Sequence, residues 1–89
     1  MKAIVTVVGK DQVGIIAAVC IKLAEYNVNV LDISQTVMQG YFTMMMVVDV
    51  TACNLPLAEL CAAMDAMGKE KGLSIRVQRE DIFEAMHRI

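Results

Sequence analysis

An α+β sandwich, with a four-stranded antiparallel sheet, two helices on one face and a short C-terminal helix, is predicted by three features of the sequence. Four stretches carry β-branched runs or alternate apolar with polar residues, and two others repeat apolar residues at helical spacing. Their order is strand, helix, strand, strand, helix, strand. Right-handed crossovers then bring both helices to the same side of the sheet, the split βαβ or ferredoxin-like arrangement. The 89 residues make one domain, 1–89, with 81–89 as the terminal helix.

The first strand is the β-branched run from Lys2 to Val8. Gly9-Lys10-Asp11-Gln12-Val13-Gly14-Ile15 follows it and opens a helix expected from about Val13 to Tyr26. Ile16, Val19, Cys20 and Leu23 share one face of this helix, opposite Lys22 and Glu25. Asp11 is placed to cap the first free N–H groups, where the helix dipole also favours an anion. Gly14 leaves the backbone open to close approach. The plainer alternative is that Asp11 is only a cap and Gly14 only a packing relief.

Asn27 suits the left-handed turn that ends this helix. From Val28 to Met38 strict alternation places Asn29, Leu31, Ile33, Gln35 and Val37 on one side, with Val28, Val30, Asp32, Ser34 and Thr36 on the other. Polar residues on both sides mark an edge strand. Gln39-Gly40 reads as a tight turn into a third strand, Tyr41 to Thr51, so the two make a hairpin. Phe42, Met44, Met46, Val48 and Val50 form its inner face, while Met45 and Val47 leave the outer face less than cleanly polar. Asn54 and Pro56 open a second helix whose stripe is Leu57, Leu60, Cys61, Met64 and Met67, and Gly72 ends it. Leu73, Ile75 and Val77 alternate with Ser74, Arg76 and Gln78 as the fourth strand. Asp81 then caps a tail helix carrying Ile82, Phe83, Met86 and Ile89.

Composition narrows the functions open to this chain. Hydrophobic residues make up 57% of it and aromatics 4%, so the core is aliphatic and methionine-rich, with more apolar side chain than so short a chain readily hides. Self-association is the predicted outlet. A net charge of −2 with scattered Lys and Arg offers no footprint for nucleic acid or for a membrane surface. The central strands also lack the aromatics on which RNA bases stack. Cys20, Cys53 and Cys61 are an odd number without C-x-x-C spacing, which points to buried reduced thiols rather than a disulfide framework or zinc site. No apolar run approaches the ~18 residues of a membrane span, and no leader pattern precedes the first strand. The expectation is a soluble cytoplasmic protein without a cofactor.

Catalytic machinery is equally sparse. His87 is the sole histidine and lies in the tail, and Asp32 and Asp49 are isolated acids rather than a paired general acid and base. Alternation splits Met44-Met45-Met46 between two faces, so the run reads as core filling rather than a soft-metal site.

The loop Gly9 to Ile15, its helix, and the continuation Leu23 to Gln35 together resemble the signature of the ACT domain, a small regulatory module that binds amino acids. The resemblance spans essentially the whole chain, and the ending Glu80 to Ile89 is similar to that of stand-alone single-domain members. It implies a homodimer or higher homo-oligomer, in which ligand lies between the first loop of one subunit and the second strand of its neighbour. Carried onto this sequence, the ligand-binding residues are Gly9, Lys10, Asp11, Gln12, Val13, Gly14 and Ile15, with Asn29, Val30 and Leu31 on the strand. Val13 stands where proline is common and Gly9 where serine-sensing members carry histidine, so the resemblance names no ligand. The resulting expectation is a non-catalytic regulatory module for an amino acid or similar zwitterion. The alternative is an interaction module that has lost its ligand and regulates a partner enzyme or transporter, and an undetected enzyme stands third.

Overall fold

The computed structural model describes residues 1–82. In chain order the elements are β1 (Lys2–Lys10), α1 (Ile15–Glu25), β2 (Asn29–Met38), β3 (Tyr41–Asp49), α2 (Leu57–Lys71) and β4 (Ser74–Arg79). The strands form one antiparallel sheet in the order β2-β3-β1-β4. This is the ferredoxin-like sandwich that the element order predicts, with β1 and β3 central and β2 at an edge. The tail helix falls beyond the described residues except for its first turn, where Asp81 accepts the Ile82 N–H at 2.9 Å. Phe83, Met86, His87 and Ile89 lie outside them.

One cluster joins the helices to the inner face of the sheet. Ala3, Val5 and Val7 of β1 and Phe42, Met44, Met46 and Val48 of β3 meet Val19 and Leu23 of α1 and Leu60 and Met64 of α2. All are buried, and full burial of a side chain of this size contributes roughly 1.5–3 kcal/mol. Met45 points the other way and is exposed, as alternation requires. Together with Val8 it leaves the outer face partly apolar. Among the described residues the three cysteines are free, but each is half-buried rather than buried. Cys61 donates its thiol to the Val77 carbonyl at 3.3 Å, and burial raises its pKa.

The turns follow their residues. Asn27 adopts φ 61°, closing α1, and Gln39 and Gly40 both take positive φ, as a type I′ hairpin turn demands. Gly72 caps α2 in the left-handed region. Gly68, inside α2, has a different role that periodicity does not reveal. A Cβ there would stand 2.8 Å from the Leu73 carbonyl oxygen, so glycine is what lets α2 lie down on β4.

Strict alternation fails in β2. Val30 pairs with Val48, but the next pair is Asp32 with Val47, so Leu31 is the extra residue of a bulge. Residues after it face the side opposite to the one a regular strand would give them. Val30, Ile33, Gln35 and Val37 share the helix side, because they pair with the buried Val48, Met46, Met44 and Phe42. Asn29, Asp32, Ser34 and Thr36 lie on the other side, opposite Asp49, Val47, Met45 and Thr43.

Candidate ligand-binding site

The loop between β1 and α1 is held at both ends by main-chain geometry. Lys10, the last residue of β1, pairs with Tyr41, and the Asp11 N–H donates to the Gly40 carbonyl at 2.8 Å. The Gln12 side-chain amide donates to the Lys71 carbonyl at 3.1 Å, which ties the loop to the C-terminal end of α2. Two neighbours that the sequence did not flag therefore fix this loop: the hairpin turn and the end of the second helix.

Asp11 is not the cap of α1. The cap position is Gly14, at φ 87° and ψ 8°, and no side chain bonds to the first turn. The Gly14 carbonyl accepts the Ala18 N–H at 2.9 Å, which starts the helix three residues later than Asp11 capping would. A left-handed residue costs a non-glycine side chain about 1–2 kcal/mol, so glycine is favoured at this corner on conformational grounds. A Cβ at Gly14 would nonetheless have no atom within 4 Å, so packing is not the reason for the glycine. No side chain caps the first turn of α1, and Lys10, Asp11 and Gly14 in the loop that leads to it are exposed.

The proposed contact residues divide. Lys10, Asp11, Gln12, Val13 and Gly14 are exposed around the corner. Gln12 is engaged with Lys71, however, and Ile15 is buried in the core. Gly9 lies against Leu73, whose side chain a Cβ would meet. Asn29 pairs with Asp49 at the Lys2 end of the sheet, whereas the loop sits at the Lys10 end. Eight residues of strand separate those ends, roughly 26 Å. Within one chain, Asn29, Val30 and Leu31 therefore cannot reach a ligand at the loop.

The edge between these two places is open. Every residue from Leu31 to Gly40 is exposed, including four large apolar side chains, Leu31, Ile33, Val37 and Met38. The acids on the sheet are occupied locally. Asp32 accepts the Ile33 N–H at 2.9 Å, and Asp49 accepts that of Thr51 at 2.9 Å. Hydrogen bonds from the Thr51 side chain and backbone hold the Asp49 carboxyl below its usual range. Among the described residues, no group of three or more His, Cys, Asp or Glu side chains is gathered in a way that could hold a metal ion. No described helix is long and apolar enough to cross a membrane.

The sequence profile of the ACT domain matches residues 2–78. The chain belongs to the ACT domain family. A UPF0237 protein of Bifidobacterium longum is 53% identical over 88 residues, covering 99% of this chain and 98% of that protein. One from Methanosarcina acetivorans is 52% identical over 86 residues, covering 97% and 94%. An ACT domain protein from Streptococcus pneumoniae superposes with a TM-score of 0.83 at 47% identity, covering 98% of each chain. ACT domains are in general regulatory modules that bind small molecules, and this chain carries the family's fold from end to end of the matched segment.

Proposed function

We propose that this ACT domain is a non-catalytic regulatory module that binds an amino acid or similar small zwitterion between the two subunits of a homodimer. The observation that carries the reading is the separation of its two candidate halves along an exposed edge. A two-fold axis normal to the sheet, pairing β2 antiparallel with the same strand of a second copy, would set Asn29 of each subunit near the Met38 end of the other. It would thereby bring Asn29 towards the Gly9–Gly14 loop across the interface. The edge suits such pairing, because its residues from Leu31 to Met38 are all exposed and include no proline. At the corner, the uncapped start of α1 and Lys10 favour a carboxylate, and Asp11 favours an ammonium.

Thermal shift against the amino acids tests this reading. A ligand at 100 times its dissociation constant adds about 2.7 kcal/mol, which for a domain of this size raises Tm by roughly 10–20 °C. Silence across the set, from a folded dimer, would favour the interaction module. Gly14→Leu locates the site. The substitution costs about 1–2 kcal/mol of backbone strain but creates no clash, so the domain stays folded while the side chain obstructs the corner. Calorimetry should then show binding lost, and unchanged affinity in the folded variant would remove the loop from the site.

A further inference from the structure

On the sheet face away from the helices, β1 and β4 carry a groove between them. Val5 and Val7 of β1 and Ile75 and Val77 of β4 are buried against the helices, so Thr6, Val8, Ser74 and Arg76, which alternate with them, point the other way. The register sets Thr6 directly opposite Arg76 and Val8 opposite Ser74, with the Cβ atoms of such pairs roughly 5 Å apart. These four residues line a groove of about 360 Å³. β3 separates it from β2, so it lies apart from the edge offered to a second copy.

The groove holds one charge, and that charge is not neutralised. Further along β4, Arg79 is paired with Asp81 at 2.6 Å, whereas among the described residues no carboxylate lies within ion-pair distance of Arg76. The acids of the same face are committed elsewhere. Asp49 stands opposite Lys2 at the other end of β1 and accepts the Thr51 N–H, and Asp32 lies three strands away on β2 and accepts the Ile33 N–H. Beside the guanidinium are the Thr6 and Ser74 hydroxyls, which can donate to an anion, and the apolar side chain of Val8, which is 42% exposed.

We propose that this groove binds a small monocarboxylate with an apolar body, the Arg76 guanidinium taking the carboxylate while Val8 and the Thr6 methyl group take the hydrocarbon. The planar fork of arginine donates two parallel hydrogen bonds that match the two oxygens of a carboxylate. A phosphate dianion would bring a second negative charge to a groove with one cation and apolar walls, and would lose hydration there without compensation. A neutral molecule would leave the guanidinium without its counter-charge. The site is independent of the amino-acid seat proposed above, which is at the start of α1 and requires an ammonium as well as a carboxylate.

Isothermal calorimetry on the full chain with isovalerate, benzoate, their neutral amides isovaleramide and benzamide, acetate and inorganic phosphate is the test. Isovalerate and benzoate should bind at least tenfold more tightly than their amides, and more tightly than acetate or phosphate. Arg76→Gln should weaken both acids at least tenfold while leaving Tm unchanged, because Arg76 is exposed. Gly14→Leu, which obstructs the α1 corner, should leave the affinity for isovalerate at the parent value. Equal binding of acid and amide, unchanged affinity in Arg76→Gln, or no heat from either acid at millimolar concentration would overturn the proposal. Tighter binding of acetate or phosphate would overturn the apolar monocarboxylate as its ligand. Loss of isovalerate binding in Gly14→Leu would put the acid at the corner instead, and would overturn the groove as a separate site.

Discussion

The two edges of the sheet are built differently, and the difference separates what holds the domain together from what it offers to others. β4 is six residues long, lies under α2, and buries Ile75 and Val77 while its other side carries Ser74, Arg76 and Gln78. Its alternation is clean, and Arg79 closes it with an ion pair to Asp81 at 2.6 Å. β2 is ten residues long, bulged, and exposed along its whole length beyond Val30. Short, charged, covered edges resist pairing with other chains, whereas long apolar ones invite it. The exposed apolar side chains include a run along this edge, Leu31, Ile33, Val37 and Met38, with Val13 at the loop and Val8 and Met45 on the outer sheet face.

The largest expected effect sets the same residue type on the two edges against each other. Ile75→Ala on β4 deletes buried methylenes and should cost about 2–5 kcal/mol in urea unfolding, independent of protein concentration. Ile33→Ala on β2 should cost clearly less, about 1 kcal/mol for the folded subunit, since 40% of its surface is already in water. Equal costs at the two positions would break the distinction between a structural and a presenting edge.

The register of β2 marks where the sequence stops being legible. β3 and α2 can be read directly, because their buried apolar residues, Phe42, Met44, Met46 and Val48 on the strand and Leu60, Met64 and Met67 on the helix, keep one phase throughout, and their ends carry Gln39-Gly40, Pro56 and Gly72. β2 has apolar residues at Val28, Val30, Leu31, Ile33 and Val37, which satisfy alternation in more than one phase, so nothing in the sequence marks Leu31 as the extra residue. The start of α1 differs from the sequence expectation for a related reason. Asp11 is a good cap in isolation, but its N–H is taken by Gly40 and its neighbour Gln12 by Lys71, and these long-range bonds carry the chain three residues further before it turns. Loop and strand start are each visible in the sequence, and the fold adds that eight residues of strand hold them apart within one chain, so the proposed site would need a second copy.

A smaller effect is expected at Leu31, which projects from the open edge. Leu31→Lys should weaken self-association at least tenfold, about 1.4 kcal/mol, by desolvating a charge at the interface and removing apolar area. Unchanged secondary structure with a falling mass in analytical ultracentrifugation would mark the edge as the interface. An unchanged mass would move the interface elsewhere, and Met45→Lys on the outer sheet face then becomes the variant to measure.

The smallest effect concerns how β4 is closed. Hydrogen bonds from the Arg79 guanidinium, with its charge, hold the Asp81 carboxyl below its ordinary range, and the Ile82 N–H adds to this. A carboxyl whose pKa is lower in the folded than in the unfolded chain contributes stability above its unfolded value, and loses it as pH falls through the folded one. Both groups are exposed, so water and salt screen the pair and the contribution is small. Asp81→Asn should therefore leave stability at pH 3 nearly as it is and lower it slightly at pH 7, flattening the acid limb of a Tm-against-pH curve. The difference between variant and parent should shrink further in 1 M salt, where the screening length falls to about 3 Å.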